Sequence, residues 1–392
     1  MRDLFLLDSD LVFLNHGSFG ACPAPVFEAY QGWQRELERN PVEFLSRRSA
    51  ALLAEARSAL AAFLGTRAES LVFVSNATTG VNTIARSLRL GAGDEILSTN
   101  HEYGACDNAW SIACRSNGAS YVKQSIPLPY EGDEAFIEQL WRGVTPRTRA
   151  IFLSHITSPT ALVFPIAAVC RRARAEGLPT IVDGAHAPGQ IGVDLDAIGA
   201  DFYAGNCHKW MCAPKGAAFL HARPEHHGAL DGLVVSWGDH AELHGVTAHD
   251  PYTGSDPLAR RHQWGGTRDI AGFLAVPAAI DFLARHAATA RRLACHELAV
   301  ETQRRLGELT GLPPVAPPAC FCQMVAVPLP PCDPAAVQTA LFDQFRIEVP
   351  CFAFETHYFV RPAFHVYNTP KDAEALVAGL AGLLGKTRAA GG

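Results

Sequence analysis

An acid and a lysine stand in a spacing that could do chemistry together. Asp183 follows the apolar run Thr180-Ile181-Val182 and precedes Gly184-Ala185-His186. Further along, Asp201-Phe202-Tyr203-Ala204-Gly205 leads through Asn206-Cys207-His208 to Lys209-Trp210. Both runs read as strands, and strands of an open α/β sheet present their carboxyl ends to a ligand crevice. Asp183 and Lys209 are thereby aimed at the same crevice. A buried carboxylate keeps a pyridine nitrogen protonated, which makes the ring an electron sink, and a partly desolvated lysine has the lowered pKa that a Schiff-base amine needs. Pyridoxal 5′-phosphate (PLP) is the cofactor that asks for this pair. Alone, each member has a blander explanation: an Asp after a strand often caps a helix, and most lysines are solvated. The combination, with Gly184, Gly205, His186 and His208 alongside, carries the reading.

These residues need a scaffold, and the middle of the chain supplies one. Residues 71–74, 95–98, 150–153, 180–182 and 217–220 are short apolar runs, separated by helical stretches such as 80–88 and 166–176. That alternation predicts an α/β fold with a mostly parallel, doubly wound sheet. Residues 238–266, rich in His, Gly, Asp and Pro, read as a loop over the crevice or a subunit boundary. Residues 270–285 and 287–309 read as long amphipathic helices, and the Pro-rich turn at 312–318 separates them from a strand-helix-strand ending. Two domains follow: a large one over 15–270, and a smaller α+β one from 1–14 and 271–392.

Composition narrows the function classes. With 392 residues, 48% of them hydrophobic, the chain can bury a large core. A net charge of -6, with Lys and Arg scattered, leaves no basic footprint for nucleic acid. No apolar run approaches the ~20 residues that span a bilayer, so no membrane partner is expected. The eleven cysteines are spread along the chain and no signal-peptide pattern precedes them, which suggests a reduced cytoplasm. No metal is expected either, because Cys320-Phe321-Cys322 is too tight for a zinc pair and has no second pair to match it.

A phosphate needs backbone donors, a hydroxyl and a helix start, and Ser75-Asn76-Ala77-Thr78-Thr79-Gly80 offers all three directly after residues 71–74. Thr78 is the candidate hydroxyl, although an ordinary helix cap would look the same locally.

The segments Val182-Asp183-Gly184-Ala185-His186-Ala187-Pro188-Gly189 and Gly205-Asn206-Cys207-His208-Lys209-Trp210 resemble the class V aminotransferase family of fold-type I PLP enzymes. So do Leu14-Asn15-His16-Gly17-Ser18-Phe19-Gly20, Asn100-His101-Glu102-Tyr103-Gly104-Ala105, residues 154–160, Gly266-Thr267-Arg268-Asp269-Ile270 and Val366-Tyr367-Asn368-Thr369. The resemblance implies a fold-type I PLP-dependent transferase fold and a role for each motif. The phosphate cup comprises Thr78, Ala77, Asn206 and His208, with Ala77 standing where many relatives carry a hydroxyl. Thr267 reaches the cofactor of a neighbouring subunit, so a homodimer is implied. Tyr103 stacks on the pyridine face, His186 donates to the phenolic oxygen, and Ser158 shares that contact. Arg361 binds the substrate carboxylate, and Asn15 adds a second contact. Arg47 and Arg48 are read as a solvated helix face rather than an entrance.

The substrate is then a small amino acid or amino-acid derivative. Freed Lys209 is the base for the Cα proton, with Asp183 holding the ring charge. Epimerisation is the favoured outcome, and it needs a proton returned to the other face: by a mobile Lys209 that serves both faces, by Tyr103, or by a water held at His16 or His155. Desulfuration is disfavoured because residues 352–360 contain no cysteine and Cys351 lies ten residues before Arg361. A cysteine–sulfur lyase, an aminotransferase and a non-enzymatic PLP-binding scaffold stay open as alternatives.

Overall fold

The computed structural model describes residues 1–245 and 250–390. A short strand β1 (Val12–Phe13) precedes the main sheet. That sheet is built from β2 (Leu71–Val74), β3 (Glu95–Thr99), β4 (Ser120–Gln124), β5 (Thr148–Ser154), β6 (Thr180–Gly184), β7 (Phe202–Asn206) and β8 (Ala218–Ala222). The spatial order is β2-β8-β7-β6-β5-β3-β4. Four of the six pairings are parallel, and only β8 runs against its neighbours. The fold is therefore the α/β, mostly parallel arrangement that the alternating pattern predicts.

Strands β2, β3, β6, β7 and β8 are buried at every position, which is why they read as unbroken apolar runs rather than alternating ones. Helices cover both faces. Ala77–Ser87 and Gly104–Ser116 pack on one side through Val81, Ile84, Cys106 and Trp110, while Ser49–Phe63 and Ile166–Ala175 pack on the other through Leu53, Leu60, Val169 and Ala173. The first of these helices lies very close to the sheet: a Cβ on Gly80 would sit 2.8 Å from that of Ala204. Edge strand β4 escapes the sequence pattern, because Ser120 and Lys123 face solvent and the run is too polar to register.

Two small sheets complete the chain. Strands β9 (Val327–Leu329), β11 (Cys351–Phe354) and β12 (His357–Val360) form an antiparallel sheet, and β10 (Ile347–Glu348) pairs in parallel with β1. The chain does not stop on a strand as expected: after β12 the helix Pro370–Ala390 packs back through Leu376 and Leu380. The expected helix over 270–285 divides at Ala275 into Ala271–Leu274 and Val276–His286, and the next helix runs Thr289–Thr310.

The stretch expected to be a loop over 238–266 is a correction. Within it lie short helices His240–His244, Asp250–Thr253 and Pro257–Gln263, while residues 246–249 fall outside the described residues. One to two turns of helix carry too few apolar positions to show a period, and the third is held by tertiary contacts of Leu258 and Ala259 instead. No helix among the described residues is long and apolar enough to cross a membrane.

Candidate active site

Strands β5, β6 and β7 end side by side. Ser154 pairs in register with Asp183 and Asp183 with Ala204, and the chain leaves β7 at Asn206 to reach Lys209 within one short turn. These ends open into a cavity of about 480 Å³. Its wall includes Ala77, Thr78, Tyr103, Ser158, Asp183, His186, Asn206, His208 and Lys209. Motifs far apart in sequence meet here.

Asp183 is 4% exposed and forms no ion pair among the described residues. Its carboxylate accepts from the Ala185 N–H at 2.9 Å and from the Cys106 thiol at 3.4 Å. Burial pushes its pKa up, while the Ala185 N–H and nearby Lys209 act the other way. A buried carboxylate without a cation calls for a positive group in the cavity. Behind it, Glu102 accepts from Thr99 Oγ1 and from the amide and hydroxyl of Ser154, and burial pushes its pKa up to about 8.

Lys209 is half-buried, and desolvation brings its amine down to about 8, against the opposing pull of Asp183. Its Nζ lies 3.1 Å from His186 Nε2, and the Trp210 indole donates to His186 Nδ1 at 3.3 Å. Burial first, then Lys209 and Arg361, hold the His186 imidazole well below its ordinary pKa. The amine is thus partly neutral at physiological pH, as a carbonyl-binding lysine must be.

The loop carrying Lys209 is braced by the N-terminal motif. Gly20 has φ 69°, and a Cβ there would lie 2.2 Å from the His208 carbonyl oxygen, so only glycine fits. His16 donates through Nε2 to the Lys209 carbonyl at 3.1 Å and accepts at Nδ1 from the Tyr367 hydroxyl at 2.9 Å. His16 and His365 stack at 4.0 Å, and both approach Cys212. These three groups come within 4.8 Å of one another. The two rings lie nearly parallel, at 16°, and His16 Nε2 faces the Lys209 carbonyl as well as the thiol.

At the other end of the cavity the helix Ala77–Ser87 begins. Asn76 caps it by accepting from Thr79 N at 2.8 Å, and Asn206 Oδ1 accepts from Ala77 N at 2.8 Å. Among the described residues, the Thr78 amide and hydroxyl have no hydrogen-bond partner. His208 donates through Nδ1 to the Ala217 carbonyl at 3.0 Å, and burial brings it down to about 4. A free amide and hydroxyl at a helix start suit a phosphate.

Arg361 sits behind Ser158 and donates through Nη1 to its carbonyl and, at 3.2 Å, to its hydroxyl. Its Nε is buried without a partner, and burial lowers its pKa to about 10. An orphaned guanidinium N–H fits a substrate carboxylate. The charge set of the cavity, with a lone carboxylate, a depressed lysine and free donors at a helix start, fits PLP.

Several expected residues do not reach the wall, and Arg361 is one of them, standing behind Ser158. Asn15 turns its amide to Glu348 Oε1 at 3.2 Å and its carbonyl oxygen to the Ser18 hydroxyl at 2.5 Å. His16 and His155 are buried away from the cavity, the latter with Nδ1 against the Tyr203 hydroxyl at 2.9 Å. A water held by either is therefore replaced as proton donor by whatever the wall itself offers. Thr267 lies in a separate surface cavity with Val42, Trp237 and Trp264. Conversely Ser18, Phe19 and Lys215 line the site without having been singled out. The first two fall within the N-terminal motif, which was the available signal; Lys215, in Ala213-Pro214-Lys215-Gly216, carried none.

Comparison with known proteins adds weight to this geometry. The sequence model of the aminotransferase class-V family matches residues 13–376. The chain is 38% identical to an isopenicillin N epimerase of Amycolatopsis lactamdurans, covering 97% of this chain and 96% of that one. It is also 38% identical to the isopenicillin N epimerase of Streptomyces clavuligerus, covering 98% of each. A solved structure of a C-DES mutant, with glycine covalently linked to its PLP cofactor, superposes with a TM-score of 0.82 at 24% identity over 97% of this chain and 99% of that one. A family-wide match lying on a cavity whose charges suit PLP leaves one conclusion: the chain belongs to the class-V aminotransferase family and is a PLP-dependent enzyme.

Proposed function

We propose that this enzyme is an epimerase acting at Cα of an amino acid or amino-acid-derived substrate, of the isopenicillin N epimerase kind. The observation that carries the reading is the β11–β12 hairpin. It turns through Glu355-Thr356 with no cysteine between residues 352 and 360, and Cys351 is buried opposite Val360 with its thiol pushed up to about 12. Desulfuration through a persulfide needs an accessible thiolate there, so the hairpin counts against it. The 38% identity to two epimerases over nearly the whole chain favours epimerisation.

When bound, PLP supplies an electron sink for the pair left at Cα as its proton departs. Asp183 would keep the ring nitrogen protonated; the Thr78 amide and hydroxyl, with Asn206 and His208, would hold the phosphate, the Ala77 amide being already taken by Asn206; Ser158 and the Nε2 side of His186 would meet the phenolic oxygen. Arg361 takes the substrate carboxylate. Asn15 acts through Ser18, whose hydroxyl it orients. Lys209 Nζ removes the α-proton from one face, and Tyr103 stacks on the ring and returns a proton to the other from its hydroxyl. Tyr103 is 46% exposed, so water can then restore it.

Thr267, exposed and apart from the cavity, suits a role at the cofactor of a second copy in a homodimer. Residues 15–270 would act as the large domain, with 1–14 and 271–392 as the small one, and eleven free cysteines suit a reducing cytoplasm.

The test is incubation of the purified enzyme with isopenicillin N and a panel of amino acids in deuterated water. Deuterium at Cα with decay of the circular dichroism signal is expected. Sulfide release would assign a cysteine–sulfur lyase, and a stable amine form of the cofactor would assign an aminotransferase; either outcome replaces the epimerase.

A further inference from the structure

Trp210 directly follows the reacting lysine and is fully buried. Its ring is held between His16, at 5.0 Å between centroids, and His365, at 6.1 Å. The indole Nε1 points to His186 Nδ1 at 3.3 Å, and on the far side of the same imidazole Nε2 lies 3.1 Å from Lys209 Nζ. Three groups thus stand in line: indole, imidazole, amine.

An indole N–H can only donate, so His186 Nδ1 must present its lone pair. Burial keeps this imidazole neutral, and a neutral ring carries one proton, which is therefore on Nε2. That N–H faces Lys209 Nζ. Two donors cannot share a hydrogen bond, so the amine in this arrangement is the acceptor and is the free base.

We propose that Trp210 is a positioning residue for the reacting lysine: by fixing His186 in the Nε2–H form, its indole places a donor, and no acceptor, against Lys209 Nζ. The inference rests on the assignment of Lys209 as the residue that joins the cofactor. In that role the arrangement has two effects. Before cofactor capture, it favours the nucleophilic amine over the ammonium. During turnover, the α-proton bonds to the Nζ lone pair while the Cα–H bond breaks, and the resulting ammonium finds no acceptor on His186. The proton is then lost to solvent rather than stored on Nζ, which restores the free base for the next turnover while Tyr103 returns a proton to the other face. Without the indole donor the imidazole can carry its proton on Nδ1 instead, offer Nε2 as an acceptor and stabilise the ammonium. The other groups bearing on Lys209 are Asp183 and Cys106, which raise its pKa, and Arg361, which lowers it; none of them is altered by the change tested below.

The test uses the PLP-loaded protein and its cofactor-free form, both labelled with 15N-histidine, with the His186 signals assigned by their loss in His186→Gln. The expected wild-type spectrum in both forms shows Nε2 protonated and Nδ1 bare. In Trp210→Phe, which keeps an apolar ring but no donor, the Nδ1–H form should appear, and the pH midpoint for capture of PLP by the cofactor-free protein should rise by about one unit. A wild-type His186 protonated at Nδ1 overturns the proposal. So does a Trp210→Phe protein with an unchanged tautomer and midpoint. If that variant does not fold, the wild-type spectrum alone decides. Borohydride fixation followed by peptide mapping tests the Lys209 assignment separately: label on another lysine would sink that assignment while leaving the tautomer result to stand by itself.

Discussion

The inner wall of the cavity and its rim are held by different means. Asp183 and His186 on the inner wall are buried and Lys209 is half-buried; all three sit at or just beyond strand ends and have nearly every polar atom engaged by protein. Phe19 and Tyr103 on the rim are 72% and 46% exposed. The inner wall is placed by the sheet, to which most class-V chemistry is common, whereas the rim rests on loops and helix ends. Rigid strand ends suit a fixed cofactor and exposed loops suit a variable substrate. Shared early chemistry and divergent outcomes therefore belong to different parts of this molecule.

If that division is right, substitutions on the inner wall should abolish chemistry and those on the rim should redirect it. Lys209→Ala should lower α-proton exchange by on the order of 10³-fold or more, read by NMR in deuterated water, and abolish borohydride fixation of PLP. In the wild type, the amine pKa near 8 sets the direction of the pH response: below it the lysine is ammonium and slow, so capture of PLP should climb as pH rises through about 8 and then level. Asp183→Asn keeps the shape and the Ala185 contact but removes the charge, and should cost about 10²–10³-fold in kcat with little change in folding stability. Behind the wall at Ser158, Arg361→Lys loses the planar donor set and should raise KM by roughly 10–100-fold with kcat nearly preserved. Smallest of all, Phe19→Ala should leave stability within about 0.5 kcal/mol and shift only the preference among substrates, measured as ratios of kcat/KM. A large loss of PLP binding in that last variant would erase the distinction.

The same division governs what could be read from the sequence. Strands β2, β6 and β7 were legible because strands buried on both faces are largely apolar runs, and Asp183 and Lys209 were legible because they follow such runs at short distance. Thr78 stood out at a strand-to-helix junction. The rest depends on contacts between distant residues that leave no local pattern. Asn15 carries the right chemistry in the right motif, yet Glu348, some three hundred residues on, draws its amide away. Trp210 reads as an apolar core residue, and its donor role appears only once His186 is seen on the other side of the bond. The helix Pro257–Gln263 takes its stability from packing on β2 rather than from its own periodicity.

The bracing of the lysine loop by the N-terminal motif also fixes when the enzyme can become active during its own synthesis. The His16 contact to the Lys209 carbonyl spans 193 residues of chain, and its contact to Tyr367 spans 351. The segment around His16 must wait for the one around Tyr367 before it can dock fully. Contacts of such long sequence separation form late, because the entropy of closing the loop comes before any reward. The lysine loop is thus completed only once Tyr367 has been made, so a product truncated before it carries Asp183 and Lys209 without the clamp that makes them a site.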